Sequence, residues 1–147
     1  MKTMGYSAYK TTETQATDNK EKILLMLFDG AIRFTKFARM GMEKKDPRIK
    51  GENISKVIAI ITELDCALDQ EKGKELADNL AGLYHYMMRR LTHANIHNEI
   101  DPLKEVERLL SELKDAFDNA SKNLARARSE GETSNDSGIA EKVSLAV

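Results

Sequence analysis

The sequence has little of what sheets, disulfides and membrane spans require. Trp is absent, aromatic residues make up 5% of the chain, and only two prolines interrupt its 147 residues. Charged residues reach 32%, and Leu, Ile, Ala, Lys and Glu dominate, a mixture that suits packed helices. The single cysteine, Cys66, has no partner for an internal disulfide, which fits a reducing, cytoplasmic location. No apolar run approaches the roughly 18 residues of a membrane span, and MKTMGYSAYKTTETQ lacks the apolar centre of a secretory signal. The 23 basic and 24 acidic residues nearly cancel, leaving a net charge of −1. Neither nucleic acid nor a membrane is therefore expected as a partner. The length fits one domain at roughly 100–200 residues per domain.

What is present is helical periodicity with clear stops. Residues 1–17 are polar, with five threonines and the aromatics Tyr6 and Tyr9, and bury too little apolar surface to fold alone. Asp18-Asn19-Lys20-Glu21 has capping-box spacing directly before an apolar run. A first helix is expected over about 19–44, ending near Lys45-Asp46-Pro47 because the residue before proline avoids the α region. A second, over roughly 48–70, carries Ile54, Val57, Ile58, Ile61, Leu64 and Leu68 at helical spacing. Gly73 marks a break, and a third helix spans roughly 74–98. Asp101-Pro102 supplies an N-cap and an N1 proline for a fourth helix, running to about 127. From Ser129 the sequence reads as a solvated tail. The expected organisation is a cap segment at 1–17, an all-α antiparallel four-helix bundle at 18–128, and a tail at 129–147.

The helices carry unequal apolar surface. Leu103, Val106, Leu109, Leu110, Leu113, Phe117 and Leu124 fall in an arc of about 140°, as a one-sided bundle helix requires. In the first helix, Ile23 to Phe28, Ile32, Phe34, Phe37 and Met42 cover roughly 260°. One core cannot use such an arc, and a four-helix bundle has no central helix. Part of that surface is therefore expected to receive a partner, a second copy of the chain or the N-terminal segment. Gly30 sits inside this helix, where glycine costs about 1 kcal/mol relative to alanine, so a close approach by another group is expected there. Met26 and Met40 lie on the outer side, and methionine suits surfaces that accept variable apolar side chains.

Catalytic constellations are weak by comparison. His93 and His97 have the spacing of a helical metal pair, but no glutamate stands three residues before His85, His93 or His97 as di-iron bundles require. They read as polar residues on a solvated face. Cys66 has no basic cluster beside it in sequence to activate a thiolate. Phosphate loops, Ser-His-Asp sets and Cys-x-x-Cys pairs are missing. Neither enzymatic activity nor a metal or other cofactor is expected. The alternatives kept open are a metal-binding bundle and a structural dimer module, with a monomer or weak homodimer as the expected state.

Glu21-Lys22-Ile23-Leu24-Leu25-Met26-Leu27-Phe28-Asp29-Gly30-Ala31-Ile32-Arg33-Phe34 resembles the first-helix signature of the FliS family of flagellar chaperones. The similarity continues through Gly51-Glu52-Asn53-Ile54, Glu63-Leu64, Leu68-Asp69, Leu76-Ala77-Asp78-Asn79-Leu80, Leu83-Tyr84-His85-Tyr86-Met87, Arg90-Leu91 and Ala94-Asn95. Val106, Leu109-Leu110, Leu113 and Ala116-Phe117 extend it, so one register covers about residues 6–120. Phe28 and Phe117 stand where the family usually has Tyr and Trp, and Asp18-Asn19 replaces Ser-Pro. The resemblance implies a cytoplasmic helical bundle that binds the disordered C-terminal segment of flagellin, prevents premature polymerisation and assists delivery to the flagellar type III export gate. It also implies a cap carrying Tyr6 and Tyr9. Combined with the arc on the first helix, it points to a groove of Leu24, Met26, Leu27, Phe28, Gly30, Phe34, Phe37 and Met40.

Overall fold

The computed structural model describes residues 2–130, with side chains from residue 19 onward. It contains α1 (Lys2–Glu43), α2 (Pro47–Cys66), α3 (Gln70–His97) and α4 (Asp101–Glu130), with no strand among the described residues. The tail expected from Ser129 lies outside the described residues, except that Ser129 and Glu130 complete α4.

Local chemistry accounts for most of the helix ends. Asp46, in extended conformation, accepts from the amides of Arg48 at 3.1 Å and Ile49 at 3.2 Å, and Pro47 follows in the first turn of α2. Just before it, Lys45 takes a left-handed φ of 57°. The Asp46 amide then donates to Gly41 O at 2.8 Å and the Lys45 amide to Met42 O at 3.2 Å, which satisfies two carbonyls at the end of α1. Asn98 closes α3 with φ 55°, a conformation asparagine tolerates better than most residues.

Three expected boundaries move, one of them the end of α2, which falls at Cys66 instead of about residue 70. The box at Asp18 does not start α1, which is continuous from Lys2. No proline occurs before Pro47, and extending a formed helix by one residue is far easier than nucleating a new one. The third helix begins at Gln70 instead of Lys74, because Asp69 caps it through the Lys72 amide at 3.0 Å. The break expected at Gly73 falls on its neighbour: Lys74 adopts φ 45° and ψ −119° inside α3.

The helices form a four-cornered bundle. α1 packs on α2 and α4, α3 packs on the same two helices, and α1 and α3 stand diagonally opposite. From α1 the core takes Leu24, Phe28, Ala31, Thr35, Ala38 and Met42, with alternating spacings of about 3 and 4 residues that keep one stripe inward. The buried Thr35 hydroxyl donates to Ala31 O at 2.7 Å, so it adds no unsatisfied group. Ile54, Val57, Ile61 and Leu64 enter from α2, Tyr84, Met87, Leu91 and Ala94 from α3, and Leu103, Val106, Leu110 and Phe117 from α4. Phe28 and Phe117 meet with ring centroids 6.2 Å apart, so the two departures from the family's usual aromatics face each other across α1 and α4.

Polar contacts fix the corners outside this core. Lys114 of α4 pairs with Asp29 of α1, and Arg39 of α1 reaches Glu107 of α4 at 3.2 Å. Glu105 of α4 accepts from the Tyr86 hydroxyl at 2.8 Å and from Arg90 Nε at 2.9 Å, both on α3. Lys50 of α2 donates to Asn95 O and Asn98 Oδ1, each at 3.2 Å, tying α2 to the end of α3.

Candidate functional site

Two neighbours leave α1 with one uncovered side. α4 takes the side bearing Asp29 and Arg39, and α2 takes the side bearing Gly30 and Gly41. Between them, pointing away from the core stripe, Met26 is 70% exposed, Ile23 56%, Met40 44% and Phe37 41%. These side chains are apolar and large, and they recur along one face of a single helix. Such a strip has the apolar, one-faced character that a docking surface for another chain needs.

The eight residues expected to line the groove divide by depth. Met26, Phe37 and Met40 are on the exposed strip. Leu27 and Phe34 are half-buried and pack against the core from the α2 side. Leu24 and Phe28 are inside the bundle, at 4% and 2% exposure, and offer nothing to an incoming chain. They fall there because the 100° step of a helix sets them opposite Met26 and Phe37. Gly30 is buried against α2, where a Cβ would stand 3.4 Å from Ile60 Cδ1. That distance, like the 4.0 Å to Phe34 Cε2, is ordinary van der Waals contact, so the close approach expected at Gly30 is made by side chains alone, and an alanine fits. The true close approach is at Gly41, where a Cβ would come within 2.7 Å of the Lys50 amide nitrogen. The side chains of Tyr6 and Tyr9 lie outside the described residues.

Phe34 is the hinge between the covered and uncovered parts of the strip. Its ring centroid is 6.4 Å from that of Phe37, with the planes inclined at 56°. Arg33 Cζ and Lys56 Nζ each lie 5.1 Å from the Phe34 centroid, one from α1 and one from α2. The negative face of an aromatic ring attracts such cations, which holds two long side chains beside the apolar strip. Ile60 of α2, half-buried next to Gly30, carries the apolar surface across to the second helix.

Ile23, Ile60, Arg33 and Lys56 were not among the expected groove residues. Ile23 was legible within the apolar arc of the first helix. Ile60 and Lys56 depend on which face of α2 meets α1, which periodicity within one helix does not set. Ile96 of α3, 71% exposed, is a second isolated apolar residue, remote in sequence from the strip.

The histidines find other partners. His85 Nε2 lies 3.0 Å from Asp65 Oδ2 and His93 Nε2 3.1 Å from Glu99 Oε2. The His93 and His97 rings lie with centroids 4.3 Å apart and planes inclined at 40° near the end of α3. Among the described residues, no three His, Cys, Asp or Glu side chains gather as a metal site. Cys66 is exposed at the last residue of α2. Nor is any described helix long and apolar enough to cross a membrane.

Comparison with known proteins adds identity to this geometry. The family described as "Flagellar protein FliS" matches residues 2–124. The flagellar secretion chaperone FliS of Salmonella typhimurium is 42% identical over 117 residues, covering 77% of this chain and 87% of that protein. Flagellar secretion chaperone FliSB of Pseudomonas aeruginosa is 40% identical over 122 residues, covering 82% and 97%. Its counterpart from Bacillus subtilis, FliS, is 35% identical over 115 residues, covering 78% and 84%. A match that runs from the start of α1 nearly to the end of α4, on a bundle of four helices, places this chain in the FliS family.

Proposed function

We propose that this protein is a cytoplasmic flagellar export chaperone, without enzymatic activity, that binds the C-terminal segment of flagellin along the outer face of α1. In this role it prevents premature polymerisation and assists delivery to the type III export gate. The observation that carries the reading is the exposed strip of Ile23, Met26, Phe37 and Met40 on a family member whose relatives are named secretion chaperones. A disordered segment that folds on binding loses about 2–5 kcal/mol or more to ordering. Each large apolar side chain it buries returns roughly 1.5–3 kcal/mol, so a handful of anchors on this strip is enough.

The N-terminal cap with Tyr6 and Tyr9 belongs to the same reading. A helix that remains continuous from Lys2 cannot fold back over its own strip, so capping requires the chain to break before Ile23. Asp18-Asn19-Lys20-Glu21 offers the place, since its spacing caps a shorter helix once the preceding turn opens. Two tyrosines hold weakly, as a cover displaced by cargo must. Co-purification with a flagellin C-terminal fragment tests the proposal. A one-to-one complex with more helix by circular dichroism than the sum of its parts supports it, and no complex, or a spectrum that simply adds, counts against it. Deleting residues 1–12 should raise the cargo on-rate.

A further inference from the structure

The strip on α1 is bordered by positive charge that nothing among the described residues neutralises. Lys22, Arg33 and Lys36 are exposed on α1, Lys44 in the turn directly after it and Lys56 on α2, and none of the five joins an ion pair among the described residues. At 100° per residue, the three on α1 share an arc of about 100° with Met26, Phe37 and Met40. Carboxylates are scarce on the same side. Asp29 is already held by Lys114, leaving Glu43 at the helix end. Arg33 and Lys56 are moreover held over the two-helix seam by Phe34, at 5.1 Å each, instead of extending freely into solvent. Cations placed this way are partly ordered before any partner arrives.

We infer that the segment received by this strip is an amphipathic helix whose apolar anchors are flanked by Asp and Glu, with Arg33 and Lys56 taking the flanking carboxylates. The inference rests on the docking reading above and names the chemistry of the docked face. Apolar and cationic side chains recur together along one helix face, the complement of an acidic amphipathic helix. A phosphate backbone would use the cations and leave Ile23, Met26 and Phe37 without partners. A second copy of the chain would bring cationic rim against cationic rim, which is repulsive. Rim charges act chiefly on encounter rate and its salt dependence, while the apolar anchors govern dissociation.

The test uses the flagellin C-terminal segment and a second version with every Asp and Glu changed to Asn or Gln. Each is titrated at low and high salt against the full chain, the double variant Arg33→Gln/Lys56→Gln, and Met26→Glu. On the unaltered chain at low salt, the neutralised probe is expected to bind about tenfold more weakly than the native one. That gap should close in the double variant, and also near 1 M salt, where the screening length is only about 3 Å. Equal binding of both probes with equal salt slopes, lost for both in Met26→Glu, would overturn the charge inference and leave the docking surface standing. Unchanged binding in Met26→Glu would overturn both. Binding to phosphatidylserine vesicles or single-stranded DNA in preference to the native probe, abolished in the double variant, would assign the rim to another partner and end the proposal.

Discussion

The backbone amide nitrogen of Lys50 stands 2.7 Å from where a Cβ on Gly41 would be, and Ile49 Cγ2 stands 2.8 Å from the same point. The obstacle is backbone as well as side chain, so α1 and α2 must separate to admit even a methyl group. Gly41→Ala is therefore expected to destabilise the bundle by about 1–3 kcal/mol, the usual range for overpacking. Gly30→Ala meets Ile60 Cδ1 at 3.4 Å and Phe34 Cε2 at 4.0 Å, both ordinary contacts, and gains helix propensity, so it should be neutral or stabilising by up to about 1 kcal/mol. Urea unfolding of the two variants separates these outcomes. A Gly41→Ala protein as stable as the parent would show that the seam is looser than its geometry indicates.

Lys74 holds φ 45° and ψ −119°, a region that favours glycine, immediately after Gly73. Such a residue stores roughly 1–3 kcal/mol, part of which a glycine releases against its larger unfolded-state entropy. Lys74→Gly should raise Tm by a few degrees, and calorimetry reads it directly. An unchanged or lower Tm would mean that the α3 kink relaxes at little cost.

Most of the fold is legible in the sequence because its stops are local. Asp46 and Pro47 end one helix and start the next by chemistry confined to a few residues, while at α4 the expected cap residue Asp101 is already helical and Ile100 O accepts the first bonds. The start of α1 is not legible, since capping spacing at Asp18 competes with the ease of continuing a helix that nothing interrupts. The site is half legible for a related reason. Periodicity shows that α1 has more apolar surface than one core uses, but the part left over depends on its neighbours. With α2 and α4 in place, Leu24 and Phe28 turn inward while Ile23, Met26, Phe37 and Met40 remain outside. The cations over Phe34 join different helices and are invisible to any single-helix pattern.

Glu105 links α3 to α4 by accepting from Tyr86 and Arg90. The Tyr86 hydrogen bond, reinforced by Arg90, holds its carboxyl below the usual value of 4.5. The folded value being the lower one, this group's contribution is fully present above about pH 4.5 and fades as pH falls through the folded value. Glu105→Gln should therefore lower stability near neutrality yet flatten the acid limb of a stability-against-pH curve. If the variant and the parent lose stability in parallel below pH 4.5, the α3–α4 contact is not among the groups that set acid sensitivity.

The strip and the core make opposite predictions for the same substitution. Met26 is 70% exposed and Phe37 41%, so a glutamate at either position keeps its charge in water. Such surface changes usually alter stability by less than about 0.5 kcal/mol. Cargo binding is another matter, because a docked apolar anchor would bury that carboxylate without a partner. Met26→Glu and Phe37→Glu should each weaken binding of a flagellin C-terminal fragment by more than about tenfold, a change worth roughly 1.4 kcal/mol. Leu110 is fully buried on the core stripe of α4, and Leu110→Glu forces an unpaired charge into the core, where it should unfold the bundle. Thermal unfolding and titration calorimetry on the three variants decide the matter. If Met26→Glu melts as Leu110→Glu does, the outer face of α1 is structural; if it folds normally and binds normally, cargo docks elsewhere.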